Sequence, residues 1–157
     1  MALWVSRMTI SPDALVERAR AAALSAYAPY SRFSVGCAIE SVDGGIAVGA
    51  NMENACYRLG VCAEIAALTA AQQAFGLGKV ARIAVAGGHV EGGALAGEIV
   101  CTPCGGCRQA IYEAACLSGA DIEILCANGS GAQVETTRIH ELLPKGFGPE
   151  NLKDAGT

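Results

Sequence analysis

Two short cysteine patterns constrain this chain more than anything else in it: Pro103-Cys104-Gly105-Gly106-Cys107, and, far upstream, Cys62-Ala63-Glu64. Proline suits a helix start, and residues three apart share one side of the first turn, so Cys104 and Cys107 can present both sulfurs to one ion. The segment Cys62 to Phe75 is rich in Ala, Leu and Gln, with no Gly or Pro inside it, and predicts a second helix that begins at Cys62. If Cys62 is the third ligand, the fold must aim two helix N-termini at a single point. Their partial positive charge is expected to lower the thiol pKa values and favour the metal-bound form.

Soft sulfur donors in a tetrahedral arrangement point to zinc, and three protein ligands leave the fourth position open, as in catalytic rather than structural sites. Glu64, two residues beyond a ligand, can reach that position without coordinating the metal and is placed to move protons. Cys101 is the alternative fourth ligand of a closed site, but its place ahead of Pro103 directs it elsewhere. The remaining cysteines, Cys37, Cys56, Cys116 and Cys126, read as packing residues. His89 and His140 have no ligand-like spacing and read as solvated or capping groups.

A chain of 157 residues fits one domain, 1–157, with residues 1–10 and 153–157 as loose ends. Its composition, 52% hydrophobic and 17% charged, favours a folded chain whose surface is partly covered by partners in an oligomer. The net charge is -4 and the 11 Lys and Arg are scattered, so no basic stripe suggests a nucleic-acid partner. No apolar run approaches the roughly 20 residues of a membrane helix, and a cytoplasmic address without disulfides is expected.

Ser11-Pro12-Asp13 predicts a capped helix running to about Tyr27, stopped by Pro29. Ser34 to Val42 and Ile46 to Ala50 predict a hairpin around Asp43-Gly44-Gly45. Beyond the helix at Cys62, Ile83 to Ala86 reads as a short buried strand and Gly87 to Gly97 as a loop. A helix from about Cys104 to Cys116 follows, then strands Ile122 to Cys126 and Val134 to Thr137, and a short helix from Arg138 to Leu143. The order α-β-β-α-β-α-β-β-α predicts an α/β fold in three layers, a mixed five-stranded sheet with helices on both faces.

Taken together, Cys62-Ala63-Glu64 and Pro103-Cys104-Gly105-Gly106-Cys107-Arg108-Gln109 resemble the signature of the cytidine deaminase family in its small three-cysteine form. The likeness extends from about Tyr30 to Leu152, through Tyr30-Ser31-Arg32-Phe33, Asn51-Met52-Glu53-Asn54-Ala55, Glu141-Leu142-Leu143-Pro144 and Phe147-Gly148-Pro149. The resemblance implies one zinc ion per chain on Cys62, Cys104 and Cys107. It also implies hydrolytic deamination at C4 of cytidine or deoxycytidine in pyrimidine salvage, with Glu64 carrying protons to N3 and to the leaving amine.

By the same resemblance, Asn51 and Glu53 would bind the ribose 3'-hydroxyl, Phe33 would line the pyrimidine pocket and the Ala63 backbone would meet the base edge. Members of this form are typically homotetramers with shared sites, for which Tyr57 and Phe147 are the candidate loans between chains. One departure stands out: Ile65 follows Glu64 where many members carry an arginine that hydrogen-bonds the thiolates. Arg58 is expected to take that role, with Arg108 the other candidate. Three rival readings are a deaminase of a modified cytosine nucleoside or of blasticidin S, a non-catalytic zinc-stabilised binding module, and an editor of RNA or DNA.

Overall fold

The computed structural model describes residues 9–153. Helix α1 spans Pro12–Ala23, and the Ser11 side chain caps it by accepting from the Ala14 N–H. It stops well short of Tyr27. Strands β1 (Ser34–Ser41) and β2 (Ile46–Ala50) form the expected antiparallel hairpin. Helix α2 (Ala63–Ala74) has Cys62 as its N-cap, and helix α3 (Gly105–Ser118) has Cys104 in the same position. Strands β5 (Glu123–Asn128) and β6 (Val134–Arg138) and helices α4 (Ile139–Leu142) and α5 (Glu150–Lys153) complete the order. The last of these helices has no counterpart in the sequence reading.

The central correction concerns β3, which runs from Val80 to Glu91 rather than over four residues, and pairs with an additional strand, β4 (Ala94–Ala96). The Gly-rich stretch read as a loop is therefore mostly sheet. Its glycines are there for close approach: a Cβ on Gly88 would sit 2.0 Å from the Ala96 carbonyl oxygen, and one on Gly87 2.7 Å from the Cys101 sulfur. Only Gly92 and Gly93, both at positive φ, make the turn.

Among the described residues the sheet thus has six strands, ordered β2-β1-β3-β5-β6 with β4 beside the end of β3, instead of five. Strand β3 is antiparallel to β1 and parallel to β5. Period-two alternation divides its side chains between two layers. Cys37, Ile39, Ile83, Val85, Ile124 and Cys126 pack with Ala63, Ala67, Ala71, Ile111 and Ala114 of α2 and α3. Ala38, Ala84, Ala86, Leu125 and Ala127 pack against Leu15, Val16, Ala19 and Ala23 of α1. Helices on both faces of a mixed sheet are the architecture expected from the sequence.

Small residues let the helices approach. A Cβ on Gly49 of β2 would fall 2.3 Å from the Ala67 nitrogen and 2.8 Å from the Ala63 oxygen, so α2 lies directly against the strand. At the other end, buried Glu40 and partly buried Arg82 form an ion pair at 2.6 Å, and both also bond the backbone of Ile10. Ile10 is accordingly held in place, while most of the expected loose ends lie outside the described residues.

Candidate active site

The site begins with how two loops meet. Met52 and Val61 exchange backbone hydrogen bonds of 2.9 Å in both directions, which sets Asn51–Glu53 beside the start of α2. The Cys101 N–H donates to the Ala127 carbonyl at 3.1 Å, laying the residues before α3 at the carboxyl ends of parallel strands β3 and β5. Arg108 then ties the first turn of α3 down, donating to the carbonyls of Pro103 at 2.8 Å and Leu142 at 3.1 Å.

This brings the sulfurs of Cys62, Cys104 and Cys107 within 4.8 Å of one another, the only such group of possible metal ligands among the described residues. Zinc–thiolate bonds of about 2.3 Å at tetrahedral angles put sulfurs about 3.8 Å apart, so the donor set and its spacing fit zinc. Cys101 is not among these donors. It lies instead in the cavity wall, its thiol pushed up to about 12 by burial and by the nearby Glu64 and Cys126 charges. Of the packing cysteines, Cys37 and Cys126 are buried, but Cys116 is only partly covered and Cys56 is exposed in the turn before Tyr57.

The expectation that both helix starts lower the thiol pKa values holds for one cysteine. Cys104 is lowered, chiefly by the backbone N–H of Cys107. Cys62 and Cys107 are raised, chiefly by burial, which outweighs the helix dipole when neighbouring groups also carry negative charge. Metal binding therefore has to displace thiol protons.

Glu64 is 4% exposed, and its Oε2 lies 3.4 Å from the Cys107 sulfur, which donates to it. Burial raises its carboxyl above the ordinary range, the direction that suits a group required to take up and release a proton near neutrality. Glu64, Cys62 and Cys104 share a cavity of about 370 Å³ with Asn51, Glu53, Tyr57 and Ala63. Five of the sequence-derived residues other than the cysteines thus meet there. Phe33 and Phe147 do not line it: Phe33 stands beside Cys101 over Gly87, and Phe147 is exposed, its carbonyl held by Gln109 at 2.7 Å.

Asn51 and Glu53 also have work within the chain. Asn51 accepts from the Val35 N–H at 2.8 Å and donates to the Phe33 carbonyl at 3.0 Å, and Glu53 Oε2 accepts from the N–H groups of Tyr30 and Ser31. Sequence reasoning missed Val35, near the start of β1, and Cys101 and Thr102, in the segment before α3, as cavity residues, since small side chains there carry no motif. It also misjudged Arg58, which makes no hydrogen bond or ion pair among the described residues; Arg108, the other candidate, is committed to backbone carbonyls. Neither arginine replaces the one missing at Ile65. His89 and His140 are bonded rather than free, to the Arg32 carbonyl and to Asp121.

Residues 10–118 match the family model described as the cytidine and deoxycytidylate deaminase zinc-binding region. The chain is 39% identical over 140 residues to a cytidine deaminase of Halalkalibacterium halodurans, covering 89% of this chain and 96% of the relative. It is 37% identical over 131 residues to a cytidine deaminase of Mycobacterium tuberculosis, covering 83% and 85%. Among solved structures, the crystal structure of cytidine deaminase from Burkholderia pseudomallei superposes with a TM-score of 0.76 at 39% identity, over 88% of this chain and all of that one.

Proposed function

Because the chain belongs to the cytidine deaminase family, we propose that it converts cytidine and deoxycytidine to uridine and deoxyuridine by hydrolysis, with release of ammonia. The observation that carries this reading is that buried Glu64 shares one cavity with Cys62 and Cys104, and that the Cys107 sulfur lies within 4.8 Å of theirs. When bound to Cys62, Cys104 and Cys107, zinc supplies Lewis acidity and makes the attacking water more acidic. Glu64 accepts that water's proton, delivers it to N3 as C4 becomes tetrahedral, and assists proton transfer to the exocyclic nitrogen as the C–N bond breaks. Water enters and ammonia leaves, so the reaction balances without redox change.

Recognition falls to the remaining residues. The Ala63 backbone meets the edge of the base, and Asn51 and Glu53 take the ribose 3'-hydroxyl. Asn51 keeps a second amide proton, and Glu53 its second oxygen, beyond the bonds they make within the chain. Phe33 stands behind Cys101 as support for the pyrimidine. Among the described residues no Lys or Arg lines the cavity, which favours an uncharged nucleoside over its 5'-phosphate.

The same reading makes the protein a homotetramer with shared sites, and a cytoplasmic enzyme of pyrimidine salvage. In support, Tyr57 is 80% exposed and Phe147 58%, a costly display of aromatic surface unless neighbouring chains cover it. No helix among the described residues is long and apolar enough to cross a membrane. Sedimentation velocity of the zinc-loaded protein tests the assembly, with a monomer as the refuting result.

The decisive experiment follows the loss of cytidine absorbance with zinc-loaded protein beside the Glu64→Gln variant. The parent should convert cytidine or deoxycytidine, and the variant should be slower by about 10²- to 10⁴-fold while keeping its zinc. A parent that carries one zinc per chain but leaves both nucleosides intact would turn the search to modified cytosine nucleosides and blasticidin S.

A further inference from the structure

We infer that His89 is a positioning residue for the base pocket, holding Phe33 in place through a hydrogen bond to Arg32 and a direct ring contact. The inference rests on the deaminase reading and extends it to a residue outside the metal and ribose sets. The sheet register creates the juxtaposition. β1 opens with Ser34 opposite Gly88 of β3, so the residues before Ser34 run past the residues after Gly88. β4 holds that part of β3 extended, with His89 paired to Ala96.

Two contacts result. His89 Nδ1 lies 2.9 Å from the Arg32 carbonyl oxygen. A carbonyl only accepts, so Nδ1 carries a proton and donates it. The imidazole also meets the Phe33 ring edge to face, with centroids 5.5 Å apart and planes at 88°. Arg32 has φ 57°, a left-handed conformation that non-glycine residues seldom adopt and that persists where surrounding bonds impose it. Those bonds are present on each side: the Phe33 N–H donates to Ser31 Oγ, and Asn51 donates to the Phe33 carbonyl. Arg32 itself is held from both ends: its N–H donates to the Ala28 carbonyl at 3.0 Å, and its carbonyl accepts from His89, which alone among the described residues ties the Arg32–Phe33 peptide to β3.

Phe33 is thus fixed from two directions. Below it, a Cβ on Gly87 would lie 2.9 Å from the ring and 2.7 Å from the Cys101 sulfur, so ring and cavity wall share one floor. Beside it stands His89. Freed from His89, the peptide after Arg32 can turn towards solvent and let the ring withdraw from Cys101, which widens the base pocket but leaves Glu64 and the metal ligands untouched. The loss falls on binding and not on the proton-transfer steps.

The test is steady-state deamination of cytidine by the zinc-loaded parent and by His89→Ala, His89→Asn and His89→Phe, with zinc content and Tm measured on each. We expect KM to rise about tenfold in His89→Ala with kcat changed less than threefold. Asn, which can place a donor near the Nδ1 position, should recover much of the loss; Phe, which keeps only the ring contact, should recover less. In a Phe33→Ala background, His89→Ala should add almost nothing, because it acts through that ring.

An active parent whose KM is indifferent to His89, or a loss in the double variant equal to the product of the two single losses, overturns the inference alone. A zinc-loaded parent inert towards cytidine overturns the functional reading and this inference with it. If His89→Ala does not fold, the contrast between Asn and Phe carries the decision, and equal KM values in those two overturn it.

Discussion

The metal corner and the loop from Tyr30 to Val35 face the same cavity and are built in opposite ways. At the corner, Cys62 and Cys104 cap their helices without a side-chain hydrogen bond, and Cys62 and Cys107 keep thiols raised by burial. The loop is bonded throughout: Glu53 takes the Tyr30 and Ser31 N–H groups, Asn51 bridges Phe33 and Val35, and His89 donates to Arg32. One region has, among the described residues, only the Cys107–Glu64 contact between its two helix starts, so an ion on the three sulfurs would add most of the bonding there. The other is organised by the protein before any ligand arrives, so damage to each should produce a different kinetic signature.

Removing a ligand gives the largest expected effect. Cys104→Ala should lose stoichiometric zinc and reduce turnover at least about 10³-fold, since Lewis-acid assistance accounts for several kcal/mol of transition-state stabilisation. Metal analysis and cytidine turnover check this together. Full zinc retention in the variant would mean that the corner is organised without its ion and would break the contrast.

Next in size is Gly49→Ala, which reaches the corner through its scaffold. The added methyl would meet only backbone atoms of α2, at 2.3 Å and 2.8 Å, and backbone cannot rotate away. We expect about 1 to 3 kcal/mol of destabilisation and a Tm lower by roughly 2 to 12 °C. Zinc affinity should fall with it, because Cys62 moves with α2, whereas Asn51→Ala should leave zinc unchanged. That variant instead removes both bonds across Phe33 and Val35. Its KM for cytidine should rise on the order of tenfold, from about 1 to 3 kcal/mol of lost hydrogen bonding, and loss of zinc from Asn51→Ala would show the two regions to be coupled.

The contrast also explains how far the sequence could be read. Cys62, Cys104, Cys107 and Glu64 were legible because a helix start is a local feature: a cap, a first turn and a spacing of three specify where the sulfurs go. Both helix starts are found where the composition of the flanking segments places them. The loop was legible only by resemblance, and its internal bonding not at all, since it depends on strand register. Gly87 and Gly88 read as loop because glycine weakens strands, yet the approach of Cys101, Phe33 and Ala96 is what requires glycine there. His89 carries no motif, and only the added β4 strand and the β1–β3 register bring it to Arg32. Arg58 lies close to Cys62 in sequence, but a three-residue 3₁₀ turn, Tyr57–Leu59, leaves it exposed.

The smallest effect should come from Glu53, and its sign follows from its surroundings. The Ser31 hydroxyl and the Tyr30 and Ser31 N–H groups favour its ionised form and hold its carboxyl below the ordinary range, against a lesser opposing effect of burial. A group whose pKa is lower folded than unfolded contributes order that is complete above the unfolded value and is lost as pH falls through the folded one. KM for cytidine should therefore show no step from Glu53 between neutrality and about pH 5, where ordinary carboxylates are still ionised. Glu53→Gln should raise KM only about threefold at neutral pH, because an amide oxygen can still accept from the loop and solvent screens the lost charge. Zinc content should be unchanged. Should KM climb as pH falls towards 5 in the parent and stay flat in Glu53→Gln, the carboxylate would be titrating early, and the loop would be held less firmly than its hydrogen bonds imply.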